Sequence, residues 1–130
     1  MRFLIVDDGF DWVKFHYQNI QNAMPEAEID IATSAFEGLN KVLAKEENYY
    51  DVILSDMQME DVDSEDYAGI WLIKRLLNSK KCSKTKIIII SAVYNIKEVA
   101  KNLNTDYISK SSIIASPTVF EYKLKELLKF

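Results

Sequence analysis

Four short apolar runs in this chain end on residues that can do chemistry. Val6 is followed by Asp7-Asp8, Leu54 by Ser55-Asp56, Ile90 by Ser91-Ala92, and Ile108 by Ser109-Lys110. Brought together, these ends supply three carboxylates, a hydroxyl and a lysine. Three carboxylates at close range repel, so at least one stays protonated unless a cation joins them. A hard divalent ion with oxygen ligands suits such a set, and Mg²⁺ combines one or two carboxylates with waters and phosphate oxygens. A lysine, a hydroxyl and a metal around an open position form a phosphoryl-binding arrangement. One carboxylate can then act as the nucleophile and give an aspartyl phosphate. A single Asp at a strand end is ordinarily a turn or helix-capping residue. The argument therefore rests on Asp7, Asp8, Asp56, Ser91 and Lys110 as a set.

The elements that must position this set are legible as an alternation of short apolar runs and longer helical patterns. Strands are predicted over 2–6, 28–32, 51–55, 86–91 and 107–109. The run Ile87-Ile88-Ile89-Ile90 is β-branched throughout and suits a strand covered on both faces. Helices are predicted over 10–24, from Ser34 to about 45, over 67–78, over 95–103, and from Ser116-Pro117 onward. Ser34-Ala35-Phe36-Glu37 has the spacing of a capping box. Pro117 stands at a first helical position, where proline is favoured. Ile70, Ile73 and Leu77 are expected on the buried face of the third helix, and Phe120, Leu124, Leu127 and Leu128 on that of the last. Strands alternating with helices imply a doubly wound parallel sheet of five strands. In such folds the ligand site lies beyond the carboxyl ends of the strands.

Composition bounds the function. One hundred and thirty residues fit one domain. A hydrophobic share of 48% is too high for a disordered chain. A net charge of −4 argues against a nucleic-acid binder, which carries a basic face. No apolar run approaches the roughly 20 residues of a membrane span, and Asp7-Asp8 interrupts any secretory core. The single cysteine, Cys82, rules out an internal disulfide. The expectation is a cytoplasmic, single-domain protein over residues 1–130, with a native N-terminus and no output domain in the chain.

With these residues in order, the sequence resembles the response-regulator receiver domain of two-component signalling. The resemblance rests on Val6-Asp7-Asp8, on Ile53-Leu54-Ser55-Asp56 with Met59 three residues beyond, on Ser91-Ala92 and on Tyr107-Ile108-Ser109-Lys110. It implies a flavodoxin-like (βα)5 fold with strand order 2-1-3-4-5. Asp56 is then the phosphoacceptor, charged by a histidine kinase or histidine phosphotransfer protein. The resemblance makes Asp8 a direct Mg²⁺ ligand and Asp7 a ligand mainly through water. It assigns metal contacts to Asp56 and to the backbone carbonyl of Gln58. Lys110 and Ser91 bind the phosphoryl group, and Ser91 with Tyr107 forms the switch. Gln58 and Val93 stand where the family tunes hydrolysis. The implied output, or a dimer, uses the face of the fourth helix, fifth strand and fifth helix. The family is not a free-standing enzyme, although the domain catalyses its own phosphorylation and dephosphorylation.

Three departures stand out. Glu60 replaces a proline, and 60–66 reads as an acidic insertion before a late Gly69. Ser111 replaces the proline after Lys110. The stretch from Ser91 to Lys110 is short, which implies a truncated fourth helix. These departures favour a second reading, a phosphate-independent pseudo-receiver acting through protein contacts. A Mg²⁺-dependent small-molecule phosphatase is a third, but Asp56-Met57-Gln58 lacks an acid two residues after Asp56. Elsewhere, Lys80, Lys81, Lys84 and Lys86 read as a solvated loop, and the lysines around Cys82 would favour its thiolate. His16 reads as a half-buried helix histidine, and Trp12 and Trp71 as packing residues.

Overall fold

The computed structural model describes residues 1–59 and 68–129. The chain runs through β1 (Arg2–Val6), α1 (Phe10–Ala23), β2 (Glu28–Ala32), α2 (Ala35–Leu43), β3 (Val52–Asp56) and α3 (Ala68–Leu77). A short 3₁₀ turn (Lys80–Cys82) leads to β4 (Lys86–Ser91), α4 (Ile96–Leu103), β5 (Asp106–Ser109), α5 (Lys110–Ala115) and α6 (Thr118–Leu128). The strands form one parallel sheet in the order β2-β1-β3-β4-β5, as expected.

Alternation within the strands builds two cores. Leu4, Val6, Ile53, Ile87 and Ile89 meet Val42, Leu72, Ile73, Leu76, Ile96 and Ala100 from α2, α3 and α4. Phe3, Ile5, Leu54, Ile88, Ile90 and Ile108 meet Val13 and Ile20 of α1, Ile113 of α5, and Phe120 and Leu124 of α6. Successive isoleucines of β4 thus face opposite layers, which is why an unbroken apolar run is needed there.

Local signals account for several ends. Ser34 Oγ accepts the Glu37 N–H at 3.1 Å, so the cap half of the predicted capping box is present. Asn104 closes α4 in the left-handed conformation, a position Asn tolerates. α4 is eight residues long.

Four expectations are corrected. The buried stripe of α3 is Gly69, Leu72, Ile73 and Leu76, and Leu77 is exposed. The helix phase is set by Gly69, where a side chain has no room. A Cβ built there would lie 2.0 Å from the Asp56 carbonyl oxygen and 2.5 Å from Met57 Cα. The Gly69 N–H donates to the Met57 carbonyl at 3.0 Å, which docks the start of α3 on the end of β3. Second, residues 110–115, to which the sequence pattern assigns no element, form a helix. Its serines and isoleucines are poor helix formers, so α5 depends on the burial of Ile113 beneath it. Third, the Cys82 side chain is buried, and burial pushes its thiol up despite the neighbouring lysines. Lys81 reaches back to the Lys45 carbonyl and Lys86 pairs with Asp106 at 2.9 Å, so that stretch is partly tied down. The acidic segment 60–66 lies outside the described residues. Among those described, no helix is long and apolar enough to cross a membrane.

His16 is fully rather than half buried, at 1% exposure. It stacks on Trp12 and Phe120 with ring centroids 5.7 and 5.0 Å apart.

Two outcomes follow from this packing. Gly69→Ala should lower unfolding free energy by about 3 kcal/mol or more in urea titration, because backbone on both sides of the new methyl must move. Burial holds the His16 ring neutral by lowering its pKa to about 3, against 6.5 when unfolded. The unfolded chain therefore binds the extra proton between those values, and stability is lost as pH falls from 6.5 toward 3. His16→Phe, which cannot take up that proton, should flatten this part of the stability–pH curve measured by thermal unfolding.

Candidate functional site

Strand register brings the predicted residues to one rim. Val6 pairs with Ser55, so Asp7 and Asp56 leave the sheet side by side. Asp56 pairs with Ile90, which puts Ser91 one residue further along the neighbouring strand. Ser91 pairs with Ser109, which puts Lys110 just beyond. A run that slipped by one residue would turn each of these side chains to the other face of the sheet.

The side chains meet as the register requires. A carboxylate oxygen from each of Asp7, Asp8 and Asp56 lies within 4.8 Å of the other two, with Asp8 exposed and the others buried. Lys110 Nζ is 3.2 Å from Asp7 Oδ2 and 3.4 Å from Asp56 Oδ1. The Gly9 N–H donates to Asp7 Oδ1 at 2.8 Å. Ser91 is buried, and its Oγ accepts the Val93 N–H at 3.2 Å. Gln58 is exposed on the same rim, and its backbone N–H donates to Asp56. Tyr107 is half-buried, pairs with Ile89 and packs on the core beneath α4. It stands apart from the charged cluster, on the face formed by α4 and β5.

Asp56 is the unusual group. Burial pushes its carboxyl up from 3.8 to about 6, and the Asp7 charge pushes the same way. Lys110 and the Gln58 N–H oppose this without cancelling it. One buried ammonium shared by two buried carboxylates leaves the cluster short of positive charge, and an exposed third carboxylate adds to the deficit. This donor set, all oxygen and open to solvent at Asp8, fits a hard divalent cation such as Mg²⁺.

Two side chains have a larger part than their sequence position suggested. Trp12 carries Lys110 Nζ at 4.7 Å over its ring, a cation–π contact that steadies the lysine. His16 Nε2 lies 3.9 Å from Asp7 Oδ2. The available signal was helical spacing: residues 12 and 16 follow Asp8 by one and two turns and share a face. Apolar spacing alone reads Trp12 as a packing residue and His16 as a half-buried helix histidine.

The sequence matches the family described as response regulator receiver domain over residues 3–115, and the chain belongs to that family. No curated protein sequence matches the chain. Solved structures with the same fold include the signal receiver domain of a DNA-binding response regulator from Colwellia psychrerythraea. The two are 20% identical with a TM-score of 0.76, covering 100% of this chain and 99% of that one. The response regulator TrrA from Thermotoga maritima, solved with Mg²⁺ and BeF, is 24% identical with a TM-score of 0.73, and 97% of each chain is covered. The chemotaxis response regulator CheY4 of Vibrio cholerae is 21% identical with a TM-score of 0.69, over 84% of this chain and 85% of that one. At these identities the likeness is one of fold.

The raised Asp56 carboxyl has a stability consequence in the metal-free protein. The folded side chain holds its proton up to about pH 6, whereas the unfolded one releases it near 3.8. Ionisation across that window costs stability, and the cost is complete above pH 6. Asp56→Asn should therefore raise the stability of the chelator-treated protein at pH 7.5 by about 3 kcal/mol. The gain should vanish below about pH 4 in parallel thermal melts.

Proposed function

We propose that this chain is a phosphorylation-switched signalling receiver whose phosphoacceptor is Asp56. The single observation that carries the reading is the buried Asp7–Lys110–Asp56 cluster with Asp8 at its open side. The donor is a phosphohistidine on a histidine kinase or histidine phosphotransfer protein. A carboxylate oxygen of Asp56 bonds to phosphorus as the P–N bond breaks, and the imidazole leaves with the bonding pair. Asp7, Asp8 and Asp56, with the Gln58 carbonyl, would hold Mg²⁺. When bound it offsets carboxylate charge and draws phosphoryl oxygens toward the rim.

The protein's own residues do the rest. Lys110 pairs with a phosphoryl oxygen. Ser91 gives up its contact with the Val93 N–H and turns its hydroxyl to the phosphoryl group. Tyr107 moves inward behind it. These shifts change the face made by α4, β5 and α6, which serves an output partner or a second copy of the chain. The added charge is local and the packed face is bistable, which is how such modifications are read at a distance. The chain works as a signalling module in the cytoplasm. Its chemistry is confined to its own phosphorylation and dephosphorylation, with no turnover of a free substrate.

Intact-protein mass after incubation with Mg²⁺ and acetyl phosphate tests the reading. The expected result is a gain of one phosphoryl group that disappears in Asp56→Asn and on removal of Mg²⁺. Absence of the adduct, together with no response to Mg²⁺ and beryllofluoride, would overturn it and leave a phosphate-independent interaction module.

A further inference from the structure

A buried histidine stands behind the cluster, and the phosphoacceptor chemistry makes no use of it. His16 is 1% exposed, and its Nδ1 has no hydrogen-bond partner. A phenylalanine would fill the same stack on Trp12 and Phe120 without leaving a nitrogen unpaired. Buried polar atoms without partners are uncommon enough to need a reason.

The other ring nitrogen supplies one. Nε2 lies 3.9 Å from Asp7 Oδ2, the same oxygen that Lys110 Nζ holds at 3.2 Å. Asp7 Oδ1 is already occupied by the Gly9 N–H. The neutral ring carries one proton. Placed on Nε2, it faces a carboxylate and leaves Nδ1 as an unpaired acceptor. Placed on Nδ1, it would be a buried donor with no acceptor, beside an Nε2 lone pair turned to a carboxylate. The first arrangement is the favourable one. At 3.9 Å the Nε2–H is too far for a hydrogen bond, and an approach of about 1 Å would complete it.

Lys110 is a single ammonium shared between Asp7 and Asp56. A phosphoryl group on Asp56 brings more negative charge than the carboxylate it modifies and draws the lysine away from Asp7. That would take the ammonium from Asp7 Oδ2, the oxygen that faces His16. We propose that His16 is a positioning residue that takes over Asp7 Oδ2 through its Nε2–H when Lys110 turns to the phosphoryl group. The inference rests on the phosphoacceptor reading, in which Lys110 pairs with a phosphoryl oxygen. It predicts a cost that appears only in the phosphoryl-loaded state, because Lys110 serves Asp7 before loading.

Calorimetric titration of the full chain separates the two states. Mg²⁺ alone probes the unloaded site, and beryllofluoride with Mg²⁺ probes the loaded one. In His16→Phe, Mg²⁺ affinity should stay within about twofold of wild type and beryllofluoride affinity should fall about tenfold, as for a lost hydrogen bond to a charged group. In His16→Gln, whose amide N–H can reach the place of Nε2, beryllofluoride affinity should return to within about threefold of wild type. His16→Leu removes the same donor if the phenylalanine variant does not fold. Beryllofluoride affinity unchanged in His16→Phe would overturn the inference. So would equal weakening of both ligands with a lowered melting temperature, or a glutamine variant as weak as the phenylalanine one. Those results leave Asp56 as acceptor untouched. No beryllofluoride binding by the wild type would instead remove the phosphoacceptor reading, and this inference with it.

Discussion

Lys110 Nζ lies 3.2 Å from Asp7 and 3.4 Å from Asp56, and none of the three residues is more than 7% exposed. Asp7 and Lys110 are 103 residues apart in the chain. Charges taken out of water are tolerable only where their partners are held in place. The sheet does that holding. Three strands carry the three groups, and register fixes them at one level. Apolar residues that carry no site chemistry, such as the isoleucines of β4, therefore decide whether the site exists. Lys110 is also the first residue of α5, the end of a helix where backbone N–H groups disfavour a cation. Its place there is explained by the two carboxylates and by the Trp12 ring, not by the helix it opens.

The cluster is left short of positive charge. Two carboxylates are buried with one ammonium, and the third, exposed carboxylate stands at the open side. Burial is what raises the Asp56 carboxyl, and the Asp7 charge adds to it while Lys110 opposes it. Stability and ligand demand are here the same quantity seen twice. Whatever positive charge enters the rim relieves the repulsion that ionised Asp56 creates in the free protein, and binding is strengthened by the strain it removes.

Much of this was legible before any coordinates. The strand ends Asp7-Asp8, Asp56, Ser91 and Lys110 could be read because an apolar run followed by a polar residue marks where a parallel strand leaves the core. The misreadings have a common cause. Leu77 has the right spacing for a helix face but the wrong phase, and the phase is set by Gly69 against the β3 end, a contact between backbones that no side-chain pattern records. α5 has weak helix formers and is held by the burial of Ile113, which is tertiary. Cys82 sits among lysines in sequence, yet its burial outweighs them. Trp12 reads as a packing residue and is one, partly buried, whereas His16 reads as half-buried and is fully buried. Their second role comes from what lies across the sheet layer, where Lys110 and Asp7 arrive from other strands.

Gly69 also ties together the two described ends between which residues 60–67 run. Met57 and Met59 are buried on one side of that stretch, and α3 is docked on the other by the Gly69 N–H on the Met57 carbonyl. The two ends of the segment are thus fixed to each other by backbone contact, independently of what lies between. The position of Asp56 is set by β3 and by the glycine pressed against its carbonyl. The acceptor's place is thus held by described residues on both sides of 60–66.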